Sequence, residues 1–320
     1  MPQFRIIIPV FNPPPCLLDT LGALRRDSGN HVHTIVVDDG STNGIAERIY
    51  QDFPEVVVIR GDGNLWWAGG MKVGMERALE EGAEVVVWLN HDCQPDAGTI
   101  HSLATEAVKP GIGAVSAWCR TRGYENFPVN PGFRDFQEIP ISELSAGGVL
   151  RVDGVNGNCV AMNANAIRQI GLPETSLHPH YGDGPYTWRL HQAGFKNYVF
   201  TDCHASLSRE LERCIDEASH SMIWQTPLRK KLSYYFLSPR SKYHWKHRFH
   251  DLRVFRGCFR GAIYYPLVQA KLIAAVTLGH LKGRSQITSK SIDQILSRYH
   301  TQLPPEGLRD ALEKLSQRQA

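Results

Sequence analysis

Short, wholly apolar runs alternate with segments of helical spacing along the first part of the chain. Arg5–Phe11, His33–Val37, Val56–Arg60 and Val85–Leu89 are rich in Val and Ile, the pattern of strands buried on both faces. Between them Leu17–Arg26, Asn43–Phe53 and Gly69–Glu81 repeat apolar residues at helical intervals; Met71, Met75, Ala78 and Leu79 share one face of the last. Such alternation predicts an α/β fold, a mostly parallel central sheet with helices on both faces. Gly113–Trp118 is expected to continue the sheet. Residues 119–150, rich in Gly and Pro, read as a loop-rich excursion. Val149–Met162 reads as a strand pair or a bent strand, Ala164–Gly171 and Gly184–Ala193 as helices, and Asn197–Leu207 as a strand.

Three of the first four strands end in polar residues, and ligands of open α/β sheets bind at such tips. The first is followed by Asn12-Pro-Pro-Pro15, which fits neither the Gly-x-Gly-x-x-Gly dinucleotide loop nor a Walker A loop. The tips are acidic instead: Asp38 and Asp39 after the second strand, Asn90-x-Asp92 after the fourth. Carboxylates there can hydrogen-bond a ribose or hold a hard divalent cation. Asp39-Gly-Ser-Thr42 taken alone reads equally well as a turn and helix cap.

Composition changes the picture in two places. The seven cysteines are scattered, odd in number and form no Cys-x-x-Cys, the usage of a reducing compartment. The start shows no basic segment ahead of a long apolar core, so no secretory leader is expected. The net charge of +3 hides an uneven distribution. Residues 1–225 carry 17 Lys/Arg against 27 Asp/Glu, whereas residues 226–285 carry 13 against a single acid, Asp251, with ten aromatics. Basic and aromatic residues on helices favour an anionic membrane surface. A solvated basic face or an oligomer contact is the competing reading, and nothing resembles a nucleic-acid module. The stretch 261–281 is interrupted by Gln269 and Lys271 and reads as an ordinary or interfacial helix. Three segments are thus expected: an acidic α/β domain over 1–225, a basic helical region over 226–285, and a helical tail over 286–320.

Arg5–Asn12 (RIIIPVFN), Val36–Thr42 (VVDDGST), Asn64–Gly74 (NLWWAGGMKVG), Trp88–Asp92 (WLNHD), Val152–Met162 (VDGVNGNCVAM), Gly171–Glu174 (GLPE) and Gly182–Arg189 (GDGPYTWR) follow one another in order. Together they resemble family-2 glycosyltransferases of the GT-A fold over roughly residues 4–210, most of all bacterial rhamnosyl-type enzymes that extend cell-surface polysaccharides.

The resemblance implies an inverting hexosyltransferase that uses a nucleotide-diphosphate sugar, dTDP-rhamnose or a UDP-sugar, and a magnesium or manganese ion. It implies Pro9, Phe11, Asn12, Asp39, Trp67, Gly70, Lys72, Asn90 and His91 around the nucleotide and donor. Trp67 reads equally as core packing, and Lys72 as a solvated side chain. Asp92 matches the metal-binding end of an Asp-x-Asp motif whose first position is here Asn90; His204 is a second candidate ligand. Asp183 matches the catalytic base, at a helix start where the dipole favours a negative charge, although Gly182 replaces the Glu that often precedes it. The competing reading of Asp183 is a plain helix cap. Asn156, His180 and Arg189 are expected toward the acceptor, with His178 beside His180. The implied partners are a glycan or polyprenyl-diphosphate-linked acceptor and an anionic membrane surface. The implied location is the cytoplasm, at the inner face of the plasma membrane. A catalytically inactive GT-A scaffold and a sugar-phosphate nucleotidyltransferase are the alternatives.

Overall fold

The computed structural model describes residues 2–28, 33–122, 124–129, 132–175, 182–208, 227–238, 241 and 244–281. His178, His180 and the 286–320 tail lie outside the described residues. The chain divides into two compact units: Met1–Arg120 with Pro128–Ser208, and Thr121–Phe127 with the chain beyond Ser208.

In the first unit β1 (Phe4–Val10), α1 (Cys16–Ser28), β2 (Thr34–Asp38), α2 (Ile45–Asp52), β3 (Val57–Arg60), α3 (Trp66–Glu80) and β4 (Val85–Leu89) alternate as the pattern predicts. A short β5 (Cys93–Pro95), α4 (Thr99–Ala107) and β6 (Ile112–Thr121) follow. The excursion contains β7 (Tyr124–Pro128), which up to Phe127 belongs to the second unit, then a small hairpin of β8 (Phe133–Arg134) and β9 (Gln137–Glu138), and α5 (Ile141–Leu144). Then come β10 (Val149–Val152), β11 (Cys159–Asn163), α6 (Ala164–Ile170), α7 (Asp183–Gln192) and β12 (Lys196–Leu207).

The strand order is β10-β12-β6-β11-β4-β1-β2-β3, with β5 beside β12. The β4-β1-β2-β3 half is parallel; β11 runs antiparallel between β4 and β6, and β10 and β5 antiparallel to β12. Val149–Met162 is therefore two strands that do not pair with each other: they belong to opposite parts of the sheet, joined by the loop 153–158. The loop spans β12 and β6 and ends at Asn158, which meets Asn90 at the tip of β4.

Strand alternation divides the core. Ile6, Ile8, Val85, Val87 and Leu89 pack with α1, α2 and α4 on one face. Ile7, Val86 and Trp88 pack with α3, α6 and α7 on the other. Successive strand residues point to opposite faces, so a wholly apolar run feeds both layers.

Helix α3 begins at Trp66, three residues before the apolar periodicity starts. Its N-cap, Leu65, offers no capping side chain. The Trp66 amide instead donates to Asp39 Oδ2 at 2.8 Å, across 27 residues of chain. A distant carboxylate thus satisfies one of the amides that a helix start leaves open.

In the second unit, α8 (Leu228–Leu237), α9 (Trp245–Arg256) and α10 (Cys258–Leu281) form a helical cluster. Among the described residues α10 is one helix long and apolar enough to cross a membrane, by length and composition alone. Phe259, Ile263, Leu267, Ile273 and Leu278 are exposed on it. Basic and aromatic side chains pair on the same helices: Arg256 lies over Tyr264, Arg253 over Phe249, and Lys246 over Trp245.

Candidate functional site

The tips of β1, β2 and β4 are tied to one another by short polar bonds. Asn12, in a left-handed conformation (φ 43°), donates its amide to Ser41 Oγ at 2.7 Å and accepts from the Thr42 amide at 2.8 Å. Phe11, beside it, is 60% exposed. Asp38 is buried, accepts from the Ser41 amide and pairs with Arg60. Asp39 is also buried, and its two oxygens accept the amides of Gly63 and Trp66, both at 2.8 Å. Trp66 is thereby held at φ 59°, a conformation that costs a bulky residue of order 1–3 kcal/mol. Asp39 is first of all the clamp that sets where α3 starts.

That clamp aims the next residue. Trp67 Nε1 donates to Asn90 Oδ1 at 3.0 Å, and its ring meets Trp88 edge-on at 5.3 Å between centroids. Asn90 Nδ2 donates to Asn158 Oδ1 at 2.8 Å, and the Asn90 amide donates to the Asn158 carbonyl at 3.0 Å. Both polar atoms of the Asn90 side chain are thus engaged by protein. On the far side, Gly157 lies between Trp67 and Asp183: a Cβ built there would stand 2.8 Å from the Trp67 ring and 3.2 Å from Asp183 Cβ. Its amide donates to Asp183 Oδ2 at 2.7 Å. Asp183 is the first residue of α7 rather than its cap, and this bond leads away from the helix. Asp183 Oδ1 has no hydrogen-bond partner among the described residues.

Asp92 follows β4. Its carbonyl accepts the Ser208 amide at 2.9 Å, while its carboxylate has no partner among the described residues. Magnesium and manganese take oxygen ligands, keep one or two carboxylates and fill their shell with phosphate and water. A carboxylate with no partner among the described residues, at a strand tip, fits such an ion. Beneath it, Cys93 is wholly buried against Cys119 and Cys159. Hydrogen bonds with those two thiols, and burial, push its thiol well above the usual range, so it stays protonated.

Not every expected residue joins this group. His204 Nδ1 lies 3.9 Å from Asp96, and its ring faces Trp118. In the β5–β12 register Leu207 stands opposite Cys93, so Ser208 meets Asp92 and His204 lies four residues away, ~13 Å along the strand. Among the described residues no three His, Cys, Asp or Glu side chains converge on a metal position. Arg189 is engaged elsewhere: its guanidinium donates to the Ile170 carbonyl and lies over Tyr186. Burial pushes the Tyr186 hydroxyl up, and it donates to the Gly171 carbonyl, so this pair fastens α7 to the end of α6. Pro9 is buried under Gly70, where a Cβ would stand 2.9 Å from Pro9 Cβ; these two let α3 sit close on β1. His91 contributes its carbonyl to Thr20, at 3.0 Å. Lys72, half-buried and nearly two turns into α3, has no partner among the described residues. Asn156 reaches the first turn of α7, its Oδ1 3.9 Å from a Cβ built on Gly184.

A family model described as glycosyl transferase family 2 matches residues 5–170, just over half of the chain. The chain belongs to that family. No curated protein sequence matches the chain. Among solved structures it is similar to GalNAc-T7 with UDP, GalNAc and Mn2+ (TM-score 0.55, 13% identity), covering 77% of this chain and 55% of that one. It is also similar to the mannosyltransferase PcManGT from Pyrobaculum calidifontis in complex with GDP-Man and Mn2+ (0.53, 15%, covering 99% and 84%). S. aureus TarS 1-349 is a third (0.50, 12%, covering 97% and 83%). The chain thus spans just over half the length of the first of these. At such identities the likeness is one of fold: this family-2 member shares the GT-A architecture.

Gly157 and Asn158 escaped the sequence reading as site residues. The polar tripeptide Asn156–Asn158 between Val155 and the apolar run from Cys159 was the available signal, and it reads first as a bend.

Proposed function

We propose that this family-2 member is an inverting glycosyltransferase that moves a sugar from a nucleotide-diphosphate donor to a hydroxyl of a growing glycan. The observation that carries this reading is the path from Asp183 through Gly157 and Trp67 to Asn90, two residues before the open carboxylate of Asp92. One oxygen of Asp183 is anchored on the Gly157 amide, which leaves Oδ1 to take the proton of an acceptor hydroxyl as that oxygen attacks the anomeric carbon. The nucleoside diphosphate leaves from the opposite face, which inverts the configuration. Phe11 offers an exposed ring to the base, and Lys72 a cation to the diphosphate. Asp92 would hold a magnesium or manganese ion, which when bound stabilises the charge of the leaving phosphate. The donor is dTDP-rhamnose or a UDP-sugar.

The test is a panel of nucleotide sugars with manganese, read by thermal shift and by release of nucleoside diphosphate. One or more donors should raise the melting temperature and be turned over. Asp183→Asn should lower turnover ~10²–10⁴-fold with the donor shift retained. Near wild-type turnover in Asp183→Asn overturns the base assignment; no turnover of any donor favours an inactive scaffold.

The basic, aromatic helices of the second unit support a further part of the reading: attachment to an anionic membrane, where a polyprenyl-diphosphate-linked acceptor resides. Each Lys or Arg near such a surface contributes ~1 kcal/mol, and exposed Phe259, Ile263 and Leu267 supply apolar contact. On this reading the enzyme works at the cytoplasmic face. Co-flotation with anionic but not neutral liposomes at low salt is the expected result; no lipid-dependent flotation removes this part.

A further inference from the structure

The β8–β9 hairpin turns through two residues, since Arg134 pairs with Gln137. Both turn residues, Asp135 (φ 50°) and Phe136 (φ 63°), have positive φ, the backbone of a type I′ turn. That turn favours Asn-Gly or Asp-Gly; here the second position holds Phe, for which such a φ is a genuine outlier. The conformation is over-determined by its surroundings. The Asp135 amide donates to Asp153 Oδ2 at 2.7 Å, and Arg134 donates twice to the Arg151 carbonyl. The strain serves to display a ring. Phe136 is 47% exposed and packs on Trp188, 5.0 Å between centroids.

Among the described residues this ring ends an aromatic run that starts beside Gly184, the residue after Asp183. Phe133 lies within 3.5 Å of a Cβ built on Gly184, the residue after Asp183. Phe133 stacks on Trp188 at 6.1 Å, and Trp188 carries Phe136. The start of α7 therefore has two surroundings: Asp183 meets Trp67 and Asn90 through Gly157, and Gly184 meets the aromatic run. The first leads to the donor tips, so the second faces what the donor does not occupy. Asp153, bonded to the turn and 3.7 Å from His191, supplies polar groups at the rim. An aromatic face with polar groups at its edge complements a pyranose, whose C–H face is apolar and whose hydroxyls lie around it. Trp188 lies four residues after Gly184 on the same face of α7, ~6 Å along the axis from it.

We propose that Phe136 on Trp188 is an acceptor subsite that holds the pyranose next to the sugar bearing the reacting hydroxyl, so that the acceptor is a glycan of at least two residues. This rests on the transfer reading above and deepens it.

The test uses methyl pyranosides of the gluco, galacto, manno, rhamno and N-acetylgluco series, and disaccharides built from them, as probes. Saturation-transfer NMR with irradiation of protein aromatic protons reads binding. Phe136→Gly supplies the residue the turn favours, so it folds at least as well as wild type by thermal melting. Phe136→Tyr keeps the ring. The expected result is transfer to one or more disaccharides in wild type and Phe136→Tyr, weakened roughly threefold to tenfold in Phe136→Gly. No transfer to any probe, or transfer that survives unchanged in Phe136→Gly, overturns the subsite. Donor hydrolysis, measured in parallel without any saccharide, should be equal in all three proteins. Its absence from all of them, with ring-dependent saccharide binding intact, overturns the transfer reading and leaves the saccharide site standing.

Discussion

Gly157→Ala is the smallest change that reaches the centre of the proposed site. The added carbon stands 2.8 and 2.9 Å from two atoms of the Trp67 ring and 3.2 Å from Asp183 Cβ. Carbon atoms rest at about 3.5–4.0 Å, so ring and loop must part by roughly 0.6–1 Å. The glycine has no left-handed φ to preserve, so the cost is one of space. Overpacking of this kind costs about 1–3 kcal/mol. For a unit near two hundred residues that is a loss of roughly 2–12 °C in melting temperature. The Gly157–Asp183 bond, 2.7 Å in the native structure, would be stretched toward the ~3.5 Å limit. A base misplaced by about 1 Å costs on the order of 10²-fold in turnover. Calorimetry and nucleoside-diphosphate release measure the two effects. Trp67→Phe removes the ring edge that causes the overlap, so the melting loss from Gly157→Ala should be smaller in that background. If Gly157→Ala melts within about 1 °C of wild type and keeps full turnover, Trp67 does not press on this loop and the proposed path is wrong.

Four other outcomes follow from the structure. Asn90→Asp should be tolerated within about 1 kcal/mol, because Asn158 Nδ2, buried and without a partner among the described residues, can turn to face the new carboxylate. The double change Asn90→Asp with Asn158→Asp should melt far below the sum of the single losses, since it sets two carboxylates about 3 Å apart. Asp92→Ala should abolish the manganese-dependent part of a nucleotide-sugar thermal shift while leaving the melting temperature of the free protein nearly unchanged. Glu81 is held below the usual carboxylate range by its hydrogen bond from Arg5, then by that from Arg77. A carboxylate lowered in the folded state stabilises fully above its unfolded value and loses that contribution as pH falls through the folded one. Thermal melts across pH should therefore show wild type above Glu81→Gln at neutral pH, with the gap closing below about pH 4.5.

The parallel half of the fold was legible because its signals are local. β1, β2 and β4 are continuous Val/Ile runs, and Met71, Met75 and Ala78 mark the buried stripe of α3 without help from elsewhere. Where the reading fell short, the cause was a partner distant in sequence. The start of α3 is set by Asp39, 27 residues upstream, and Leu65 carries no sign of it. β10 and β11 read as a pair because they are neighbours in sequence, whereas their partners are β12 on one side and β4 and β6 on the other. His204 alternates properly along its strand, yet the register that separates it from Asp92 is fixed by β5, three residues long and too short to show any periodicity.

The same reasoning applies to Asn90. As a motif position it reads as a weakened Asp, one charge short for a metal. In the structure its two side-chain atoms face a donor, Trp67 Nε1, and an acceptor, Asn158 Oδ1, and an amide satisfies both at once. A carboxylate could serve the tryptophan and would then need Asn158 to turn. The tandem Trp66-Trp67 and the Asn at position 90 are therefore one arrangement: an indole that must be pinned, and an amide that pins it while passing the connection on to the loop that anchors Asp183. On the proposed reading a metal would then be held by Asp92 among the tip residues of β4, and the loss of charge at position 90 has a structural return in the alignment of the proposed base, Asp183.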